Sequence, residues 1–284
     1  MIQTILIPTD FTIESEKLLS CIAELKNAGL KKAILLHVVD IFKSQGLAPM
    51  FKENAEGKIA EYKQLLEEMG IETITHVAEG DVNKTIIKVA DEENVDCIVI
   101  GATTSGIIKG RLTGRTTNYI SRRSDKILLI EKYNKLEKGE EELYAKTCSA
   151  KFSKVMVPLD FSDNSNKTLD MLRQMKDIIQ EVVLVHIIEN AKNKTQLENK
   201  KRESLEKLYE IGNDLKKNLI VNYVVKEGKP AKILDEIAEE MDITLIMITT
   251  HGVESFKDIL LGSTAENLLR STAKPILLIP ADNR

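Results

Sequence analysis

Two glycines mark the stretch ITTHGVESFKDILLGST at 248–264: Gly252 and, after nine intervening residues, Gly262, which Ser263 and Thr264 follow. None of these residues is an ordinary nucleophile, general base or metal ligand. Their chemistry is that of anion binding. Glycine lets backbone amides approach an anion closely, and a helix amino terminus presents unpaired N–H groups and a partial positive charge. The following AENLLRS reads as a helix, so both hydroxyls stand in its first turn. A plain Ser or Thr N-cap is the simpler reading of the pair. Gly252 is what that reading leaves unexplained.

Other phosphate and catalytic signatures fail on inspection. GATTSG at 101–106 has the outline of a P-loop, but Ile107 and Ile108 stand where Lys and Ser/Thr belong. No GxGxxG, HExxH, GxSxG or paired-carboxylate pattern occurs. Asp10 and Asp160 follow apolar runs, in PTD and PLD; such an aspartate caps the next helix or accepts hydrogen bonds from a ligand, and capping is the commoner role. His37 and His186 are flanked by aliphatic residues, with no Ser, Cys or second His nearby to form a dyad, so a structural role outweighs catalysis or metal binding.

The elements that must position these residues come from a duplication. TILIPTDFT at 4–12 is matched by KVMVPLDFS at 154–162, ILLHVVD at 34–40 by VLVHIIE at 183–189, and KILLIEK at 126–132 by KPILLIP at 274–280. The long segment 77–101 likewise answers 225–249. Repeats of this length are whole domains. In each copy short apolar runs, expected of strands buried on both faces, alternate with helical patterns. Leu18, Ile22 and Leu25 mark one helical face, and Ile59, Tyr62, Leu65, Leu66 and Met69 another; Ile233, Leu234, Ile237 and Ala238 mark a third in the second copy. The order β-α-β-α-β-α-β-α-β predicts two tandem doubly wound α/β domains, each a five-stranded parallel sheet with helices on both faces. The expected boundaries are 1–131 and 151–284, with 132–150 a charged linker carrying a helical turn around EEELY.

Composition narrows the function classes. A net charge of −4 gives no general attraction to nucleic acid or anionic lipid. Cys21, Cys97 and Cys148 show no ligand spacing, so no metal site is expected, and their thiols are expected to be reduced in a cytoplasmic chain. The start MIQTILIPTDF reads as a strand rather than a signal peptide, and no apolar run approaches the ~20 residues that span a bilayer.

Taken together, P-x-D-F-[ST], L-x-H-[VI], the glycine spacing and the closing PILLIP resemble the universal stress protein family, across nearly all of both copies. Adenine-nucleotide-binding members carry Gly, two residues, Gly, nine residues, then Gly-Ser or Gly-Thr after strand 4. In the second copy Gly252, Gly262 and Ser263 match, while Thr249 stands at the first glycine. In the first copy Gly101 and Gly114 match; Thr104 replaces the middle glycine and Arg115 the hydroxyl, with Thr116 next. Lys109 and Arg111 make that loop more basic.

The resemblance implies an adenine nucleotide alpha hydrolase-like fold that binds ATP or AMP, with a divalent cation beside the phosphates. The adenine would rest by Pro158, Leu159, Asp160 and Ile187, or by Pro8, Thr9, Asp10 and Val38. The phosphates would lie at Gly252, Gly262, Ser263 and Thr264, or at Gly101, Gly114, Arg115 and Thr116. The second copy is favoured, because more of its phosphate loop survives. Family members dimerise through their last strands, so the 126–132 and 274–280 segments are expected to pair as an intrachain pseudo-dimer, with a homodimer of chains as a further expectation. The implied function is a nucleotide-binding stress-response or signalling module with an unidentified protein partner. The alternatives are a protein-interaction module with degenerate loops and a slow ATPase, for which His251 is the only loop histidine.

Overall fold

The computed structural model describes residues 1–42, 44, 46–103, 114–133, 150–216, 219–251 and 261–281. Among them the chain forms two compact units, one before residue 134 and one after residue 149. Cys21 is disulfide-bonded, a departure from the expectation of reduced thiols, while Cys97 is a buried thiol whose sulfur lies 3.5 Å from Ile98 O.

In the first unit the elements are β1 (Thr4–Pro8), α1 (Ile13–Ile22), β2 (Lys32–Asp40), α2 (Ala48–Glu68), β3 (Glu72–Gly80), α3 (Val82–Glu92), β4 (Cys97–Thr103), α4 (Arg115–Arg123) and β5 (Ile127–Tyr133). The strands lie in the order β3-β2-β1-β4-β5 and every pairing is parallel. Ile5, Leu6, Ile34, Leu35 and Ile98 are fully buried although neighbours point to opposite faces, so both faces of the sheet are covered. Right-handed crossovers then send α1 and α2 to one face and α3 and α4 to the other, and within each pair the helices touch. The helical stripes behave as 3.6-residue periodicity requires. Leu18, Ile22 and Leu25 are buried, as are Ile59, Tyr62 and Leu66, whereas Leu65 falls off the stripe and is exposed.

In the second unit the same series recurs: β6 (Lys154–Pro158), α5 (Asp163–Met175), β7 (Glu181–Ile188), α6 (Lys194–Leu215), β8 (Ile220–Glu227), α7 (Pro230–Glu240), β9 (Leu245–Thr249), α8 (Ser263–Ser271) and β10 (Ile276–Ile279). The strand order is β10-β9-β6-β7-β8, again all parallel. The doubly wound α/β class expected from the repeat is therefore what each unit adopts. Strand β5 continues to Tyr133, into the start of the charged 132–150 stretch; the turn expected around EEELY lies outside the described residues.

The feature that makes room for a ligand is a short ladder. β1 pairs with β2 along five residues, to Pro8↔Leu36, but with β4 only at Ile5↔Cys97 and Leu6↔Ile98. β6 repeats this, pairing with β9 only at Val155↔Leu245 and Met156↔Ile246. Past these pairs the carboxyl ends of the two strands diverge at the point where the winding reverses. In open parallel sheets that is where ligands bind.

Candidate functional site

The crevice wall from β1 is the turn Pro8-Thr9-Asp10-Phe11, and from β6 the turn Pro158-Leu159-Asp160-Phe161. Thr9 N–H still donates to Leu36 O at 2.8 Å, and Leu159 N–H to Val185 O at 2.8 Å, so the strand persists one residue past each proline. The chain then reverses through left-handed phenylalanines, Phe11 at φ 59° and Phe161 at φ 61°. For a non-glycine residue this costs roughly 1–2 kcal/mol.

Side chains around the turn offset that cost. Asp10 Oδ1 accepts from Thr12 Oγ1 and Ser15 Oγ, both at 2.7 Å, and from Thr12 N–H at 3.2 Å. Asp160 Oδ1 accepts from Ser162 Oγ at 2.6 Å and Ser162 N–H at 3.0 Å. The helix caps themselves are Thr12 and Ser162, which accept from the backbone N–H groups of Ser15 and Ser165. The capping role expected of the aspartates is thus corrected: they brace the capping residues from two positions upstream. Burial pushes the Asp10 carboxyl up, but the hydrogen bonds from Thr12, Ser15 and the backbone outweigh it and leave it below the ordinary range.

Each phenylalanine lies on the histidine of the neighbouring strand. Phe11 and His37 stack with ring centroids 4.4 Å apart, and Phe161 and His186 with centroids 4.5 Å apart. His37 Nδ1 is 2.9 Å from Thr9 O and His186 Nδ1 2.8 Å from Leu159 O. A carbonyl only accepts, so Nδ1 carries the proton in both rings. A lysine from the second helix of each unit completes the group, Lys58 Nζ 5.7 Å from the Phe11 centroid and Lys207 Nζ 5.1 Å from that of Phe161. Desolvation by burial is the main cause that holds both imidazoles below their ordinary pKa. The lysines add to it, and the carbonyls and aspartates oppose it.

Beside this group in the first unit is a cavity of about 560 Å³, within the size range of small-molecule sites. Phe11, His37, Val38 and Val39 form one side and Phe51, Asn54, Ala55 and Lys58 of α2 the other, with Asp40 and Ser44 between. Val38 was expected here from the sequence. The α2 residues were not, and the available signal was that Lys58 and Lys207 occupy the same repeat position, 149 residues apart.

The other rim of the crevice, across from the aspartate turn, belongs to β4 and α4, or to β9 and α8. Gly101 is exposed near the end of β4. Gly114, at φ 76°, is the N-cap of α4, with exposed Arg115 and half-buried Thr116 in the first turn. Gly262 is the N-cap of α8, so Ser263 and Thr264 are its first helical residues and neither is the plain cap. A glycine cap has no side chain to occupy the first-turn N–H groups. Thr249 is 9% exposed, and its hydroxyl donates to His251 O at 2.8 Å. Thr250 ties the loop to the end of the sheet: its hydroxyl accepts from Ala281 N–H at 2.9 Å, and its carbonyl accepts from Gly262 N–H at 2.6 Å. Thr250 Oγ1 also lies 2.9 Å from His251 Nδ1. Gly252, Thr104, Lys109 and Arg111 lie outside the described residues.

The structure thus brings Pro8, Thr9, Asp10 and Val38 to the same crevice end as Gly101, Gly114, Arg115 and Thr116. The second unit does the same with Pro158, Leu159, Asp160, Ile187, Gly262, Ser263 and Thr264.

Known proteins share this fold. The model of the universal stress protein family matches residues 1–131 and again 151–280. A universal stress protein from Methanocaldococcus jannaschii is 28% identical over 163 residues, 48% of this chain and 99% of the relative. A solved universal stress protein from Archaeoglobus fulgidus superposes with a TM-score of 0.76 at 22% identity, covering 98% of both chains. A Pseudomonas aeruginosa protein of unknown function superposes at 0.68 and 17% identity, covering 99% of this chain and 94% of its own. The two-fold match of the family model spans nearly the whole chain, and the chain belongs to the universal stress protein family, with two such domains in tandem.

Proposed function

We propose that the chain is a stress-response or signalling module that binds adenine nucleotide, ATP or AMP, without a dedicated catalytic apparatus. The observation that carries this reading is the crevice between β1 and β4, repeated between β6 and β9. One rim of each is the braced aspartate turn and the other a helix that starts at a glycine. The base would lie by Asp10 and the backbone of Val38, or by Asp160 and Ile187. The phosphates would meet the first-turn N–H groups of α4 beside Gly101, Arg115 and Thr116, or those of α8 beside Gly262, Ser263 and Thr264, with Gly252 as the upstream glycine of that motif and a divalent cation accompanying the phosphates.

Two unlike observations bear on which copy binds. The second keeps the hydroxyl pair Ser263 and Thr264 at the helix start, and the first has the cavity beside Val38. We assign the tighter phosphate contact to the second copy. Extraction of the purified protein and assay for co-purified adenine nucleotide tests the reading. Phosphate release above background that is lost in Ser263→Ala would favour a slow ATPase instead.

A second reading, a protein-interaction module, draws on one specific feature. Ile41, Phe42, Leu47, Met50 and Phe51 are 42–76% exposed within eleven residues, whereas the corresponding stretch of the second copy, beginning ENAKNK, is polar. Co-purification of a protein partner in place of nucleotide would favour it.

A further inference from the structure

We propose that His37 determines base specificity in the first unit: its Nε2 accepts a hydrogen bond from an N–H on the ring of the bound base. The cavity would then take a 6-aminopurine and discriminate against a 6-oxopurine. The inference rests on the nucleotide reading above and adds the residue that reads the base.

Four observations lead there. His37 is a wall of the 560 Å³ cavity. Its Nδ1 is committed as donor to Thr9 O at 2.9 Å, so the one polar atom its side chain has left is Nε2. Among the described residues no group hydrogen-bonds to Nε2. Finally, the ring cannot readily turn over, because the Phe11 ring lies 4.4 Å from it and the Asp10 bonds to Thr12 and Ser15 hold that turn. A neutral imidazole in this orientation offers a lone pair at Nε2 and rejects a carbonyl oxygen placed there.

Burial and Lys58 both favour the neutral ring, against the opposing influence of Thr9 O and Asp10. The second copy builds the same tautomer, with His186 Nδ1 on Leu159 O and Phe161 stacked above it. The cavity wall differs, however: Lys200 stands at the repeat position of Phe51. Its Nζ donates to Asn190 O at 2.8 Å. An aromatic wall facing an acceptor nitrogen suits a flat base, so the first unit is the better test.

The experiment uses the full chain carrying Gly262→Asp, which leaves the first unit's site intact, with and without His37→Phe. Phenylalanine keeps a ring to stack on Phe11 and removes the acceptor. Isothermal titration with AMP and IMP should show AMP preferred by about 10-fold in the parent, the worth of one hydrogen bond with an unpaired alternative. The preference should fall to within about 3-fold in His37→Phe. A parent that binds both nucleotides, with a ratio that His37→Phe leaves unchanged, refutes this assignment and spares the nucleotide reading. A parent that binds neither refutes both for the first unit. Where His37→Phe does not fold, ring nitrogen NMR of the parent decides. Nε2 of His37 should move on addition of AMP, and a resonance that AMP leaves in place overturns the assignment.

Discussion

His186 donates from Nδ1 to the carbonyl oxygen of Leu159 across 2.8 Å, while Phe161, two residues after that carbonyl, lies on the imidazole ring. The same geometry joins His37 to Thr9 and Phe11. One strand's histidine therefore fixes the exit of the neighbouring strand, and with it the crevice rim. This construction is built twice on different surrounding residues, which ties it to the shape of the rim.

Removing the ring should loosen that rim. Phe161→Ala deletes a half-buried aromatic contact and leaves a left-handed alanine, so a loss of about 2–3 kcal/mol is expected. Phe161→Asn tolerates the left-handed backbone and should lose less, about 1–2 kcal/mol, which urea unfolding would resolve. Equal losses in the two variants would mean that backbone strain plays no part.

Acid should weaken the fold through both histidines before the carboxylates contribute. Their folded pKa values lie below the unfolded value of 6.5. Between the two values the unfolded chain binds more protons, so stability falls as pH drops through 6.5. Asp10 acts at lower pH: its folded pKa is depressed below 3.8, so its contribution is present above that value and disappears as pH falls through the folded pKa. Thermal melting between pH 8 and pH 5 should show a declining midpoint. The decline should be shallower in the double variant His37→Phe, His186→Phe.

The two helix-start glycines should respond differently to alanine. Gly114 has φ 76°, and a Cβ there would meet Thr117 Oγ1 only at 3.5 Å, so the cost of Gly114→Ala is backbone strain of about 1–2 kcal/mol. Gly262 has φ −66° and should lose only the cap preference, under about 1 kcal/mol. Denaturant midpoints of the two variants compare them directly.

A purely structural glycine gives a control away from the crevice. A Cβ on Gly212 of α6 would come within 2.6 Å of Tyr223 Cε1 on β8, so the ring must move. Gly212→Ala should cost about 1–3 kcal/mol through overpacking and leave nucleotide binding unchanged.

Much of this architecture is legible in the sequence. Apolar runs of strand length and a repeat near 149 residues dictate a parallel sheet in each half, and Gly262 before AENLLRS marks a helix start. The aspartate role is not legible because P-x-D-F-[ST] gives no sign that phenylalanine turns left-handed, which moves the cap from Asp10 to Thr12. The Phe11–His37 stack is invisible for a different reason: its members are 26 positions apart in the chain, and neither side chain alone prefers the other. Lys58 and Phe51 reach the cavity only because α2 packs over β2 and β3. Leu65 shows the limit of helical pattern reading, since its neighbour Leu66 takes the buried position.

The central claim is that adenine nucleotide binds at the crevices with its phosphates on the glycine-started helices. Isothermal titration of ATP and AMP into the full chain, Gly262→Asp and Gly114→Asp tests it most directly. Aspartate at these positions sets a negative charge against the phosphates. The account predicts saturable binding to the unaltered chain, with the larger loss of affinity, about 10-fold or more, in Gly262→Asp. Binding that neither substitution weakens would contradict it.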